Sequence, residues 1–222
     1  MKSNVVLIIL EGPSDEDTLA PWIETELRKL NKALTVKVVH GDLLTKFIPG
    51  QRNIFNITPS IVKGEITKFI TRSIKVPFKA ISWKDILKIY YITDTDNCFI
   101  KSDITSINKS ECLKSMFYFR EITFNTQGNK KPFEVIFFSQ NLEHVLYNNI
   151  NMDEQSKIKK SMTFGLGAAE GKINFKASFQ NERIKTWDSY LESYKSIQTY
   201  DGRATNITAF IKEIENNFKF EK

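Results

Sequence analysis

Two short acidic motifs stand about eighty residues apart in the chain, and each closes an apolar run. The first reads Leu10-Glu11-Gly12-Pro13-Ser14-Asp15 and the second reads Thr93-Asp94-Thr95-Asp96-Asn97. The runs before them are dense in Val, Ile and Tyr, which is typical of strands buried on both faces. Ligands of open parallel sheets collect beyond the carboxyl ends of such strands. If the two strands are neighbours, four carboxylates converge: Glu11, Asp15, Asp94 and Asp96.

Such a cluster is electrostatically unfavourable without a partner of opposite charge. Two carboxylates ~4 Å apart repel by roughly 4 kcal/mol at an effective dielectric of 20, so four together require protonation or a cation. A hard divalent ion prefers oxygen ligands, and Mg²⁺ keeps waters and substrate phosphates in its remaining positions. The motifs therefore predict one or two Mg²⁺ or Mn²⁺ ions and phosphodiester chemistry.

The order of these features resembles the Toprim domain of topoisomerases, primases and OLD-type nucleases. That order is a strand, Glu-Gly, an acid four residues on, a helix, and a second strand that ends in Asp-x-Asp. The form Glu11-Gly-Pro-Ser-Asp15 is most similar to the OLD branch. A third strand over 133–139 adds Ser139, with Glu143 four residues later, where that branch has a hydroxyl residue and a glutamate. The resemblance spans roughly residues 4 to 150, and it departs at Ile92, where these nucleases often have a serine.

The resemblance implies a metal-dependent nuclease that cleaves phosphodiesters of DNA or RNA. The catalytic residues it implies are Glu11, Asp94 and Asp96. The metal ligands it implies are Glu11, Asp15, Asp94, Asp96 and Glu143. The late basic residue of the family has no spacing counterpart here, and the candidates are Lys160, Lys185, Lys195 and Arg203. OLD-like proteins often act in phage defence beside an ATPase; this chain has no Walker A motif, so an ATPase would be a separate partner.

Two other functions are compatible with the same residues. The first is a non-catalytic module that binds nucleic acid or a protein partner and holds only a structural ion. The second is a phosphatase or nucleotide hydrolase that acts on small phosphorylated substrates at the same metal site. The sequence leaves the oligomeric state open, a homo-oligomer included.

The net charge of +6 comes from one segment, because residues 31 to 90 hold 11 Lys or Arg against 3 Asp or Glu. Basic residues interleaved with phenylalanines favour contact with a nucleic-acid backbone, although solvated surface lysines would give a similar composition. The predicted nucleic-acid-binding residues are Lys46, Arg52, Lys63, Lys68, Arg72 and Lys75.

The alternation of apolar runs and helical patterns predicts an α/β fold with a mainly parallel, Rossmann-like sheet and helices on both faces. The length of 222 residues favours a single domain. We expect residues 1–150 to form a Toprim-like catalytic core and residues 151–222 to form a helical extension packed on that core. The glycine-rich stretch 165–171 is expected to be a flexible loop. The two cysteines, Cys98 and Cys112, have neither disulfide nor zinc spacing, which indicates a reducing cytoplasm. The first apolar run is too short for a membrane span.

Overall fold

A seven-stranded sheet forms the centre of the part of the chain described by this computed structural model, residues 4–44, 56–74, 81–124 and 129–216. The strands are β1 (Asn4–Leu10), β2 (Leu34–His40), β3 (Ile86–Asp94), β4 (Glu121–Phe124), β5 (Asn129–Ser139), β6 (Lys185–Thr186) and β7 (Ala204–Thr205). Their order is β2-β1-β3-β5-β7-β6, and β4 pairs with the beginning of β5. Strands β2, β1, β3 and β5 run parallel, whereas β4 and β7 are antiparallel to β5. The predicted mainly parallel α/β fold is confirmed.

The register of the parallel strands brings their carboxyl ends to one edge. Leu10 at the end of β1 lies opposite His40 of β2 and Ile92 of β3. Asp94 at the end of β3 lies opposite Phe138 of β5. The two acidic motifs therefore leave adjacent strands at the same edge of the sheet, as their sequence context predicts.

Helices cover both faces of the sheet, because successive strand residues point to opposite sides. The helices of the described residues are α1 (Pro13–Leu30), α2 (Val62–Ser73), α3 (Ile104–Tyr118), α4 (Leu142–Tyr147), α5 (Glu154–Ala169), α6 (Phe175–Phe179), α7 (Tyr190–Ser196) and α8 (Ile207–Glu215). Leu7, Tyr91 and Phe137 belong to one core, which α2, α3 and α7 cover. Ile8 and Phe138 belong to the other, which α1, α5, α6 and α8 cover. Within the described ranges, none of these helices has the length and apolar character that crossing a membrane requires.

Residues after 150 pack closely on the rest of the chain. Helix α5 lies along α1, and α8 covers the face of the sheet that carries Tyr90, whose ring contacts Phe210 edge-on with centroids 4.7 Å apart. This region also supplies β6 and β7, which extend the sheet beyond β5. The stretch predicted to be helical thus also contributes two short strands.

The expectation of a flexible loop over 165–171 is wrong for residues 165–169, which belong to α5, whereas residues 170 and 171 form the turn after it. Gly165 is placed where α5 meets α1, and a Cβ atom at this position would lie 1.9 Å from the carbonyl oxygen of Asp17. Glycine is therefore required here by the close approach of two helices, although it has lower helix propensity than alanine.

Gly165→Ala is expected to destabilise the protein by about 1–3 kcal/mol, the usual cost of forcing extra volume into a packed contact. Gly64→Ala is the matched control, because Gly64 lies within α2 and a Cβ atom there would meet no other atom within 4 Å. That substitution should be neutral or stabilise by up to ~1 kcal/mol through helix propensity. Urea unfolding of both variants measures the difference, and equal stabilities would contradict the close α1–α5 approach.

Candidate metal centre

Glu11 follows β1 directly and is held by groups at the end of β3. The hydroxyl of Thr93 donates to Glu11 Oε1, and the backbone N–H of Asp94 donates to Oε2 across 3.4 Å. Burial raises the pKa of Glu11 from its ordinary 4.5 to about 7, although the nearby Lys109 opposes this shift. A carboxyl group with a pKa near neutrality can both accept and release a proton at physiological pH.

Asp94 is the last residue of β3, and Asp96 lies in the turn that follows. Asp94 Oδ1 accepts the backbone N–H of Leu142 at 3.1 Å, and the N–H of Asp96 donates to the carbonyl of Gln140 at 2.9 Å. Asp96 adopts a positive φ of 49°, which aspartate tolerates better than most side chains do. Burial raises the pKa of Asp94 well above its ordinary value, and the charges of Asp15, Glu11 and Asp96 raise it further.

Asp15 lies in the first turn of α1, with one carboxylate oxygen accounted for and one without a partner. Its Oδ2 accepts the backbone N–H of Gly12, the helix N-cap, at 3.2 Å. Its Oδ1 is buried, and no hydrogen-bond donor among the described residues reaches it. Burial raises the pKa of Asp15 to about 6, with Lys157 opposing and Glu143 adding to the shift. A buried acceptor without a donor is costly, so this oxygen is a candidate ligand for a cation.

The third strand end brings Ser139 and Glu143 to the same edge. Ser139 ends β5 and is buried, and Glu143 is buried in the first turn of α4. Glu143 Oε1 lies 3.1 Å from the Nζ atom of Lys157, a half-buried residue of α5. The acidic cluster, which comprises Glu11, Asp15, Asp94, Asp96 and Glu143, is therefore assembled from three strand ends and the helices that follow them.

Two lysines, Lys109 and Lys157, pair with the acidic cluster, and neither was predicted from the sequence. Lys109 of α3 is only 2% exposed, and its Nζ atom lies 2.7 Å from Asp96 Oδ2 and 3.5 Å from Glu11 Oε1. Burial alone would lower the pKa of Lys109, but the carboxylates of Glu11 and Asp96 outweigh burial and raise it. A sequence signal did exist, because Lys109 shares the buried face of α3 with Cys112, Leu113 and Met116. A lysine on an apolar helix face requires a buried acidic partner.

The four late basic candidates lie elsewhere. In the described part of the chain, none of them pairs with a carboxylate of the acidic cluster. The ammonium groups of Lys160 and Lys185 lie over the rings of Tyr147 and Trp187. Lys195 is exposed on α7, and Arg203 donates to the carbonyl of Val145.

Half of the predicted nucleic-acid-binding residues can be placed. Lys46, Arg52 and Lys75 lie outside the described residues. The other three belong to α2: the ammonium of Lys63 lies 5.3 Å from the ring centroid of Phe119, Lys68 pairs with Glu65 at 2.6 Å, and Arg72 is exposed. Lys68 and Arg72 line a cavity that Glu11 also lines, so the basic helix borders the acidic cluster.

The carboxylate oxygens of the acidic cluster are suitable ligands for Mg²⁺, but the side chains are not arranged as a complete binding site. Among the described residues, no three side chains of His, Cys, Asp or Glu are gathered closely enough to hold an ion together. Mg²⁺, however, is commonly bound by one or two carboxylates, with waters and substrate phosphates completing its coordination. Asp15, with its unpartnered oxygen, and Asp94, whose pKa is raised by burial and by its acidic neighbours, meet that requirement. In the part of the chain that the structure describes, the five carboxylates pair with only two lysines, so additional positive charge would stabilise the cluster.

The raised pKa values of Glu11 and Asp15 make metal-free stability depend on pH. Between about pH 4 and pH 7 the folded state holds more protons on these groups than the unfolded chain does, so the free energy of unfolding falls as pH rises through this window. We expect a melting temperature about 5 °C higher near pH 5 than near pH 7.5 in EDTA. Thermal melts followed by circular dichroism measure this, with Glu11→Gln as the control, which should reduce the difference. A pH dependence of the opposite sign in this window would contradict the burial of these carboxyl groups.

Comparison with known proteins gives no relative from which a function could be transferred. No family model, no curated protein and no solved structure matches the chain.

Proposed function

We propose that the protein is a Mg²⁺- or Mn²⁺-dependent nuclease that hydrolyses phosphodiester bonds of nucleic acid at the acidic cluster. The observation that carries this proposal is the buried Asp15 and the half-buried Asp94 beside Glu11, with Asp15 Oδ1 lacking a donor among the described residues. Buried acids without compensating charge are common at catalytic sites and costly elsewhere.

Some carboxylates of the acidic cluster are available to a divalent ion, and others are already paired with lysines. Asp15 and Asp94, with Glu11 at their side, would hold the divalent ion, whereas Asp96 is paired with Lys109 and Glu143 with Lys157. The roles of Asp96 and Glu143 as direct metal ligands stay predictions. When bound, the ion would supply Lewis-acid polarisation of the phosphoryl oxygens and a lowered pKa of bound water.

Glu11 has the properties of a general base or acid in this reaction. In the metal-free protein its pKa is raised to about 7 by burial, and a divalent ion beside it would favour the ionised form that acts as a base. The Thr93 hydroxyl and the Asp94 N–H fix the orientation of its carboxylate. Lys109 lies 3.5 Å from Glu11 Oε1 and partly compensates the negative charge of Glu11.

The resemblance to Toprim proteins of the OLD branch supports the same reaction. It also suggests an effector of phage defence that works beside a separate ATPase. The buried thiols of Cys98 and Cys112 suit the reducing cytoplasm in which such an effector would act.

The main alternative is a non-catalytic module that binds nucleic acid or a protein partner. The Lys109 ammonium favours it, since it already neutralises part of the acidic cluster. A phosphatase acting on small substrates is the third candidate, because the cavity beside Glu11 is of small-molecule size.

Paired stability and cleavage measurements separate these functions. Melting temperatures with and without Mg²⁺ report binding of the ion, and incubation with plasmid DNA, single-stranded DNA and tRNA reports cleavage. Stabilisation together with cleavage supports the nuclease. Stabilisation without cleavage of any polymer favours the binding module, and hydrolysis of a phosphomonoester alone favours the phosphatase.

Neutralising Lys63, Lys68 and Arg72 together should weaken nucleic-acid binding and make it less sensitive to salt. The slope of log K against log salt is negative, and each lost phosphate contact makes it less steep by roughly 0.9 on B-DNA. Fluorescence anisotropy in EDTA at several salt concentrations measures the slope. An unchanged slope would mean that these residues of α2 are merely solvated charges.

A further inference from the structure

A cavity of about 290 Å³ opens between α2 and the carboxyl ends of β1 and β2. We call it the Phe69 cavity; the residues that define it here are Glu11, Gly41, Leu43, Ile57, Phe69 and Arg72. Glu11 belongs both to its wall and to the acidic cluster. A molecule in the Phe69 cavity would therefore lie directly beside the proposed reaction centre.

One wall of the cavity is apolar and contains a flat ring. Leu43 and Ile57 are buried there, and the ring of Phe69 lies against the backbone of Gly41. A Cβ atom at Gly41 would lie only 2.5 Å from Phe69 Cζ, so the absence of a side chain at Gly41 permits this approach. Aromatic rings of this kind stack nucleobases, because every base has a flat face of its own.

The rim of the cavity carries charges of both signs. Lys68 and Arg72 are four residues apart on α2 and therefore lie on the same side of that helix. Lys68 is paired with Glu65, whereas Arg72 forms no ion pair with any residue that the structure describes. Glu65 and Asp42 also line the cavity and would oppose a bare anion. A nucleotide combines an anionic phosphate with N–H donors on its base, so it suits both signs of charge.

We propose that the Phe69 cavity binds one nucleotide, with its base against Phe69 and its phosphate toward Arg72. This proposal rests on the proposed nuclease function. It states that the enzyme binds the nucleotide next to the cleaved bond in this cavity. The volume supports a single unit, because it lies near the lower limit of ~300 Å³ for pockets that enclose small molecules.

Calorimetric titration tests the proposal with three probes: nucleoside monophosphates (AMP and TMP) with Mg²⁺, inorganic phosphate with Mg²⁺, and a short single-stranded oligonucleotide in EDTA. Phe69→Leu removes the ring and keeps an apolar side chain, and Arg72→Ala removes the cation. Each should weaken nucleotide or oligonucleotide binding about tenfold, the usual effect of losing one base stack or one charged hydrogen bond. Arg28→Ala is the matched control, because Arg28 is likewise an exposed arginine in the last turn of its helix, here α1.

The pattern of binding among the probes shows whether the cavity accepts a free nucleotide or only a nucleotide within a strand. Binding of both the monophosphates and the oligonucleotide, with the same loss in both variants, means that the cavity accepts a free or a strand-bound nucleotide. Variant-sensitive binding of the oligonucleotide alone means that it accepts only a nucleotide within a strand. Phosphate that binds as tightly as AMP, or binding of every probe that neither variant weakens, would overturn the proposal.

Failure of this proposal can be distinguished from failure of the nuclease function. Metal-dependent cleavage by wild-type protein that Phe69→Leu and Arg72→Ala leave unchanged would refute the cavity and retain the nuclease. Variant-sensitive nucleotide binding without cleavage of any polymer would retain the cavity and refute the nuclease.

Discussion

Replacing Lys109 by methionine is expected to lower the stability of the metal-free protein by about 3 kcal/mol, the lower end of the cost of removing one partner of a buried ion pair, because Asp96 is half exposed. The side chain is fully enclosed and its ammonium lies between Glu11 and Asp96. Methionine fills a similar volume but leaves these carboxylates uncompensated. For a chain of this size the melting temperature should fall by about 10 °C.

Lys29→Met is the matched control, because Lys29 forms a pair of 2.6 Å with Glu26 on the exposed surface of α1. An exposed pair contributes only about 0–1 kcal/mol, so this variant should melt close to the wild type. Mg²⁺ should recover more stability in Lys109→Met than in the wild type, since the ion would replace the missing positive charge. Equal melting temperatures for the Lys109 and Lys29 variants would mean that Lys109 does not compensate the acidic cluster.

Replacing Asp94 by asparagine is expected to have the opposite effect on the metal-free protein. Burial and three neighbouring carboxylates raise the pKa of Asp94, so its ionised form is unfavourable in the fold. Asparagine keeps an acceptor for the N–H of Leu142 and removes the charge. The metal-free variant should be as stable as the wild type or more stable, by up to several kcal/mol before screening.

The same variant should lose the stabilisation that Mg²⁺ confers and should lose metal-dependent cleavage. Saturation at about 100 times Kd would stabilise the wild type by ~2.7 kcal/mol, and this increment should shrink toward zero in Asp94→Asn. Melting with and without Mg²⁺ measures both effects. A loss of about 3–5 kcal/mol in the metal-free variant would instead identify Asp94 as a structural ion-pair partner.

The neighbouring positions of Glu11 and Asp94 could be predicted because the sequence signal is local. Each acid directly follows a run that is apolar throughout, and such runs form the central strands of parallel sheets. Parallel pairing then places the carboxyl ends together, as the register of Leu10 against Ile92 confirms.

Three features could not be predicted in this way, and each depends on contacts between distant parts of the chain. Gly165 lies within a helix because α5 approaches the backbone at Asp17. Strands β6 and β7 contain two residues each, too few for a periodic pattern. The chain next to β7 is joined to β5 through Asn206, whose side chain accepts the N–H of Phe137 and donates to the carbonyl of Val135. Lys157 reaches Glu143 because α5 packs along α1, far from it in the sequence.

The most direct test of the central claim is cleavage of nucleic acid by wild-type protein and by Glu11→Gln in parallel. Glutamine keeps the shape of the side chain and removes the charge needed for metal binding or proton transfer. One gel would compare plasmid DNA, single-stranded DNA and tRNA, each in Mg²⁺, Mn²⁺ or EDTA. We predict that the wild type cleaves at least one polymer only when the metal is present and that Glu11→Gln cleaves none. Cleavage by Glu11→Gln at the wild-type rate, or no metal-dependent cleavage by the wild type, would contradict the assignment of the acidic cluster as a nuclease centre.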